Sequence, residues 1–562
     1  MIPIFGVCLG LQSLAIQSGA RIKRLGTVKH GQMSQIEHRG IDLFAGVESI
    51  RAVRYHSLHV EVDESNGVEE LAWAEDVENG RVVMAIRHKQ RPYWAVQYHP
   101  ESVCTEGGGI HVLSNFWKLA QGWSKMKARP IFPWTAEAQG ALGHMYTWPR
   151  KSLQHQHNPS TSSATVLTSS LTRPDLSIVD ICEIFGASQE EAPFVLLDSA
   201  ANPGRYSILG VLSESTPHIT FRLGDGSVSI TTSSTSITDD LHGSDIWTWL
   251  ASFIHGRKAT GGHEDLPFWG GFIGFLTYEL GVQTLGVPCR NPNRQTVQKH
   301  PDVNFAFVER SIVVDTHTGN IFAQSIIPDD EAWVSDTIKR LKTLHPASHP
   351  ASELEKPSHT SVTLPDKDRY ISRIEQAKER LFAGDSYELC LTAQTRIKVL
   401  NNTTTNDSTS WQRYKRLRRS NPAPHSAYLR LHPSTLLSSS PERFLSVSRS
   451  PNPTCQLRPI KGTIRKGPGV TRTLAEQALI GSPKEVAENL MIVDLIRHDL
   501  HGVVGNDVEV KQFCTVEEYE TVWQMVSVIE GKLGTGSSEE AEEQLGWQAL
   551  KHSLPPGTFL HS

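Results

Sequence analysis

In the stretch GVCLG, residues 6–10, Cys8 stands between glycines two residues away on either side. An apolar run, IPIFGV, leads into it, and Leu11, Leu14 and Ala15 lead out at helical spacing. A strand, a tight turn and a helix in that order project a nucleophile, and the helix N-terminus favours the thiolate. A thiol nucleophile needs a base. YHPES, residues 98–102, follows a strand-like run and offers His99, with Glu101 two residues on to orient the imidazole. Taken alone, Cys8 reads equally as a buried structural cysteine, and His99 as an unrelated surface residue.

A second centre of chemistry is LRPIKGTIRKG, residues 457–467. Lys461 sits between a proline turn and a Gly-Thr step that lets backbone approach a ligand closely. It is either a solvated turn lysine or an amine aimed into a pocket. The third is KEVAENLMIVDLIRHDL, residues 484–500. On a helical wheel Glu485, Glu488, Ile492, Leu495 and Ile496 share one face, and Val486, Leu490 and Val493 form another. Apolar residues on two faces imply a largely buried helix, and glutamates continuing such a face must be paired, protonated or on a metal. Two carboxylates at i, i+3 without nitrogen or sulfur ligands suit Mg²⁺. The alternative, preferred for Glu485, is a solvated pair at a helix start, favoured by the macrodipole.

The elements that must hold these residues follow from composition and pattern. A chain of 562 residues predicts roughly three or four domains. Apolar content of 38% and charged content of 20% fit globular cores. A net charge of −5 argues against a nucleic-acid or anionic-membrane surface. Seven cysteines, an odd number with no CxxC pair, point to a reducing compartment rather than a disulfide or zinc framework. No apolar run is long enough to span a membrane, and MIPIFGV reads as a core strand, not a signal peptide. Strands and helices alternate through the first 125 residues or so, with strands at VVMAIR (82–87) and YWAVQY (93–98), predicting an α/β layer fold. Residues 126–178 read as a Ser/Thr-rich flexible linker. Strand-like FVLLD, HITFRL and VSITT and the Gly-rich PFWGGFIGFLTYEL fill 179–344, a second linker covers 345–361, and an amphipathic helix ending at Gly384 opens 362–562. NNTTTNDSTS (401–410) and SRSPNPT (448–454) read as surface loops.

In combination the motifs are far more specific. GVCLGLQSL, HGQMS (30–34), RYHSLHV (54–60) and AVQYHPES (95–102) resemble the class I glutamine amidotransferases over nearly all of residues 1–120. The resemblance implies a doubly wound α/β domain over 1–125. In it Cys8 attacks the glutamine side-chain amide, His99 and Glu101 complete the triad, and Gln12 with the backbone around His56, Ser57 and Leu58 holds the substrate. The family's opening strand and glycine-rich oxyanion loop have no counterpart before Cys8. LLDSAANPGRYSILG (196–210), PFWGGFIGFLTYEL (267–280), GDSYELCLTAQT (384–395), SSSPERFL (438–445), RPIKGT (458–463) and AENLMIVDLIRHDL (487–500) resemble the chorismate-utilising enzymes from about 180 to 558. That likeness implies an α+β domain with large antiparallel sheets, its last part absent beyond LPPGTF (554–559).

The same likeness implies roles. Lysine at position 461, where anthranilate synthases carry alanine, matches the aminodeoxychorismate-forming branch in its plant and fungal form. Lys461 then attacks C2 of chorismate, Glu442 protonates the departing C4 hydroxyl, and Gly462 and Thr463 contact a substrate carboxylate. Glu488, with Glu485, would hold Mg²⁺. Ser199, Arg205, Tyr206 and Ser207 match a tryptophan pocket, or else form a strand-packing motif. Gln524 stands where many relatives carry histidine. The expectation is a cytoplasmic enzyme using chorismate and glutamine, with both domains in one chain and no nucleic-acid or membrane partner. A fused anthranilate synthase or a non-catalytic remnant is the alternative.

Overall fold

The computed structural model describes residues 2–554 except 64, 129–163, 285–299, 347–359, 387–388, 400–408, 450–451, 506 and 534–538. Most of both expected linkers, the NNTTTNDSTS segment and nearly all of LPPGTF fall outside the described residues. Two compact units emerge. The first comprises Met1–Leu142, Lys356–Asn402 and Gln477–Asp494; the second comprises Gly143–Glu355, Thr403–Glu476 and Leu495–Ser562.

The first unit is built on a six-stranded sheet in the order Ile4–Val7, Tyr93–Val96, Gly80–His88, Val68–Asp76, Arg21–His38, Ile50–Glu61. Side chains alternate across it, as period 2 requires. Trp94 and Val96 join the cluster around Leu43, Phe44 and Met84, while Ala95 joins Leu11, Ala15 and Val60 on the other face. The pair Ile4–Val7 and Tyr93–Val96 is parallel and the remaining ladders are antiparallel. The run IPIFGV forms strand Ile4–Val7 at one end of this sheet; Phe5 and Val7 pack against the core cluster, while Ile2 and Ile4 are exposed. Helix Lys367–Ala383 starts at Asp366, whose carboxylate caps the Arg369 amide, and stops at Gly384 in the left-handed conformation at φ 82°.

The second unit is built mainly on antiparallel sheets, with one short parallel pair, Ala164–Thr165 and Ala259–Thr260. A seven-stranded sheet runs Ser434–Ser440, His425–Leu431, Phe194–Asp198, Tyr206–Gly210, Arg310–Asp315, Asn320–Ser325, Leu167–Thr172. Its last strand corrects the linker expectation for 126–178. Leu167–Thr172 pairs residue for residue with Asn320–Ser325. An edge strand needs only one partner's backbone, and its Ser and Thr face solvent alternately, so no apolar period advertises it. A five-stranded sheet contains Gly271–Leu276, and a third sheet pairs Val522–Lys532 with Ile460–Arg465, Thr454–Leu457 and Val508–Glu518. Helix Pro483–Val504, whose residues up to Asp494 belong to the first unit, buries Leu490, Met491, Ile492, Val493, Ile496 and Leu500, in keeping with its two apolar faces.

Candidate active sites

Cys8 occupies the turn between strand Ile4–Val7 and helix Leu9–Gln17. Its backbone is left-handed, φ 53°, which a side chain other than glycine's adopts only under constraint. Two features supply that constraint. The Cys8 amide donates to Val96 O at 2.8 Å. At Gly6 an added Cβ would come within 2.8 Å of the Gly10 carbonyl carbon, so only glycine admits the close approach of strand and helix. His99 arrives from the far end of Tyr93–Val96, its amide bonded to Val53 O at 2.9 Å. Its Nδ1 lies 2.7 Å from Glu101 Oε1. Its Nε2 is buried and makes no hydrogen bond of regular geometry among the described residues. Burial disfavours the imidazolium, but the facing Cys8 and the Glu101 carboxylate outweigh it and raise the His99 pKa to about 10. The arrangement can form a thiolate–imidazolium pair oriented by a carboxylate.

The residues expected to hold the amide substrate gather beside it. Gln12 Nε2 donates to Leu58 O and to Gln97 Oε1, both at 3.2 Å. His56 and Ser57 are buried. Arg54 is fully buried, donates from Nε to His56 Nε2 at 3.0 Å, and forms a bidentate ion pair with Asp76. Because Nε2 accepts from a guanidinium, the His56 proton sits on Nδ1 and is donated to Leu58 O at 2.8 Å. Burial first, then Arg54, lowers the His56 pKa to about 3, so this imidazole is a fixed neutral strut for the Ser57–Leu58 backbone.

Sequence reasoning missed three residues here. Gln97 reaches Cys8 Sγ with its amide at 3.6 Å; two residues before His99 in YWAVQYH, it shares that strand face, which is the signal that could have found it. Arg54 looked like any strand arginine. Asp494, in the same unit, accepts from Tyr55 Oη at 2.9 Å, from Ser102 Oγ and from Val103 N. Tyr55 in turn packs edge-on against the His99 ring at 5.1 Å.

In the second unit, Lys461 and Gly462 occupy a β-bulge. Ile460 pairs with Val526 and Thr463 with Gln524, so two residues on one strand face one on the other. Gly462, at φ 82°, supplies the left-handed turn. Bulges re-aim side chains, and this one takes Lys461 out of the regular ladder. Glu442 comes to the same place: its Oε1 accepts from the Ile460 amide at 3.3 Å. Desolvation raises the Glu442 pKa, against the opposing pull of the Ile460 amide and Lys461. A carboxyl whose neutral form is favoured by desolvation, beside a lysine, has the makings of a general acid. Gln524 Nε2 donates to Thr463 Oγ1 at 3.2 Å.

Glu485 and Glu488 stand in the first turns of helix Pro483–Val504, half-buried, with Lys484 Nζ 4.0 and 3.6 Å away. Glu488 also lines a cleft of about 500 Å³ with His30, Gln32, Ser482 and Met491. Among the described residues no group of three or more His, Cys, Asp or Glu could hold a metal. A cation that takes one or two carboxylates and keeps its waters still fits this pair.

The tryptophan-pocket-like residues are engaged with one another. Ser199 Oγ donates to Tyr206 O, Ser207 Oγ donates to Asp198, and Arg205 pairs with Asp315 at 2.8 Å. Burial would raise Asp315, but Arg205 and the His317 amide hold it at about 2.

Residues 1–119 match the class I glutamine amidotransferases, and residues 196–560 match the chorismate binding enzyme family. The chain is similar to the aminodeoxychorismate synthase of Saccharomyces cerevisiae, 32% identical over 99% of this chain and 74% of that one. The Streptomyces griseus aminodeoxychorismate synthase is also 32% identical, over 99% and 73%. A chloroplastic one from Arabidopsis thaliana is 28% identical over 94% and 70%. Fold and matches together define the class, a glutamine amidotransferase joined in one chain to a chorismate-binding enzyme. Within that class, the chain belongs to the aminodeoxychorismate synthase family.

Proposed function

We propose that the chain converts chorismate and glutamine to 4-amino-4-deoxychorismate and glutamate, the step that leads to p-aminobenzoate. The observation that carries the reading is Lys461, set in a bulge with the Glu442 carboxyl against the adjoining amide. At the first site Cys8 attacks the glutamine amide carbon, and His99 gives its proton to the departing ammonia. Water then cleaves the thioester with His99 as base, releasing glutamate. Gln12 and the Ser57–Leu58 backbone, held by neutral His56, orient the substrate. At the second site the Lys461 amine bonds to C2 of chorismate as the C4 hydroxyl leaves, taking the Glu442 proton to become water. Ammonia then adds at C4 and the lysine–C2 bond breaks. The sum is exchange of OH for NH₂ with loss of one water.

Glu485 and Glu488 would hold Mg²⁺, which when bound neutralises the ring carboxylate. Gly462 and Thr463 supply an amide and a hydroxyl to a substrate carboxylate. The internal engagement of Ser199, Arg205, Tyr206 and Ser207 favours a structural role for them. The cytoplasm is the compartment proposed, on the odd number of scattered cysteines without a CxxC pair. Among the described residues no helix is long and apolar enough to cross a membrane.

The test uses the full chain with chorismate and Mg²⁺, supplied with ammonium or with glutamine, and follows product by mass spectrometry. Cys8→Ala is expected to abolish the glutamine reaction and spare the ammonium one, while Lys461→Ala abolishes both. Unaltered product from Lys461→Ala with ammonium overturns the nucleophile assignment.

A further inference from the structure

Gln524 is 5% exposed, and its amide is only half satisfied. Nε2 donates to Thr463 Oγ1 at 3.2 Å, and among the described residues Oε1 has no partner. A buried polar atom without a partner is costly, so this side chain does not sit here for stability alone. Its neighbour is the informative one. Thr463 is exposed, directly follows the bulge that displaces Lys461, and is paired in register with Gln524 across the ladder. A threonine hydroxyl has one proton and two lone pairs and rotates to suit its neighbours. With an amide N–H donating into its oxygen from the buried side, its own proton is directed to the open side. A hydroxyl oriented in that way is a ready donor to an anion.

We infer that Gln524 is a positioning residue for chorismate, fixing the Thr463 hydroxyl as a donor to a substrate carboxylate. The inference rests on the functional reading above and adds to it a division of labour. An amide cannot transfer a proton at any working pH, so position 524 orients the substrate, and acid chemistry at this bulge falls to Glu442. Glutamate at position 524 would reverse the polarity. Its ionised carboxylate can only accept, so it would draw the Thr463 proton inward and leave a lone pair facing the substrate.

Chorismate binding to the full chain with Mg²⁺, measured by calorimetry, tests this without requiring turnover. Gln524→Met is expected to weaken binding about tenfold, the scale of one hydrogen bond to a charged group. Gln524→Glu is expected to weaken it further and to recover as pH falls from about 8 to 5.5, because burial at this position raises the introduced carboxyl above its ordinary value of about 4.3. Gln524→Met should cost nothing more when added to Thr463→Val, because the two act through one hydroxyl. In turnover with ammonium, KM should rise while kcat changes little. Additive losses in the double variant, or a pH-independent Gln524→Glu, overturn the positioning role. The Glu variant, close in shape to Gln, keeps the test decisive if the Met variant misfolds. An unaltered chain that binds no chorismate overturns the functional reading and this inference with it. Binding unchanged by every Gln524 variant overturns the inference alone.

Discussion

His99 and His56 are both imidazoles near Cys8, yet their surroundings give them opposite protonation. His99 gains a thiol and a carboxylate and rises to about 10; His56 is buried against a guanidinium and falls to about 3. One can carry a proton to a leaving group, and the other can only hold backbone in place. A third group, Asp499, is set by burial alone, which raises its pKa to about 7. An aspartate unfolded titrates near 3.9. Between that value and about 7 the folded state binds the extra proton, so stability falls as pH rises through this window and is level above it. Asp499→Asn removes the ionisation. We expect it to raise the denaturation midpoint at pH 8 and to change it little at pH 4, read from urea titrations at both. An equal shift at the two pH values would refute the assignment.

At the scale of elements, the two turns that hold chemistry are built differently. The elbow holds a cysteine in a left-handed conformation that the Val96 hydrogen bond and the Gly6–Gly10 approach enforce. The bulge gives the left-handed position to Gly462 and leaves Lys461 beside it. Gly462→Ala therefore adds about 1–2 kcal/mol of backbone strain at the bulge. The expected outcome is a chain that still folds, by circular dichroism, but loses ammonium-dependent turnover by roughly tenfold or more as Lys461 is displaced. Full activity in that variant would mean that the bulge does not aim the lysine. The edge strand Leu167–Thr172 shows the reverse case, in which backbone pairing, not side-chain pattern, makes the element.

On the scale of the molecule, Asp494 joins chemistry that the sequence keeps apart. It lies 392 residues from Ser102, and it holds that residue, Val103 and Tyr55 around the His99–Glu101 loop. It also belongs to the helix whose first turns present Glu485 and Glu488. Asp494→Ala removes a carboxylate that accepts three hydrogen bonds. Each bond to a charged group is worth roughly 1.5–3 kcal/mol. The glutamine-dependent rate is expected to fall at least about tenfold, with ammonium-dependent turnover held within about twofold. A parallel fall in both rates would show that Asp494 serves the helix alone.

Much of both sites was legible because their local parts are local in sequence. A glycine-flanked cysteine before a helix, a His-x-Glu after a strand and a lysine before Gly-Thr each carry their geometry within a few residues. The two apolar faces of residues 484–500 likewise followed from spacing. What only the tertiary structure decided depends on partners far along the chain. Arg54 and Asp76 fix the His56 tautomer, Asp494 holds Ser102 beside the His99–Glu101 loop, Gln524 meets Thr463 across a ladder, and a Ser/Thr-rich segment becomes a strand because Asn320–Ser325 lies beside it. Periodicity records which way a side chain faces; it does not record what the fold brings opposite it.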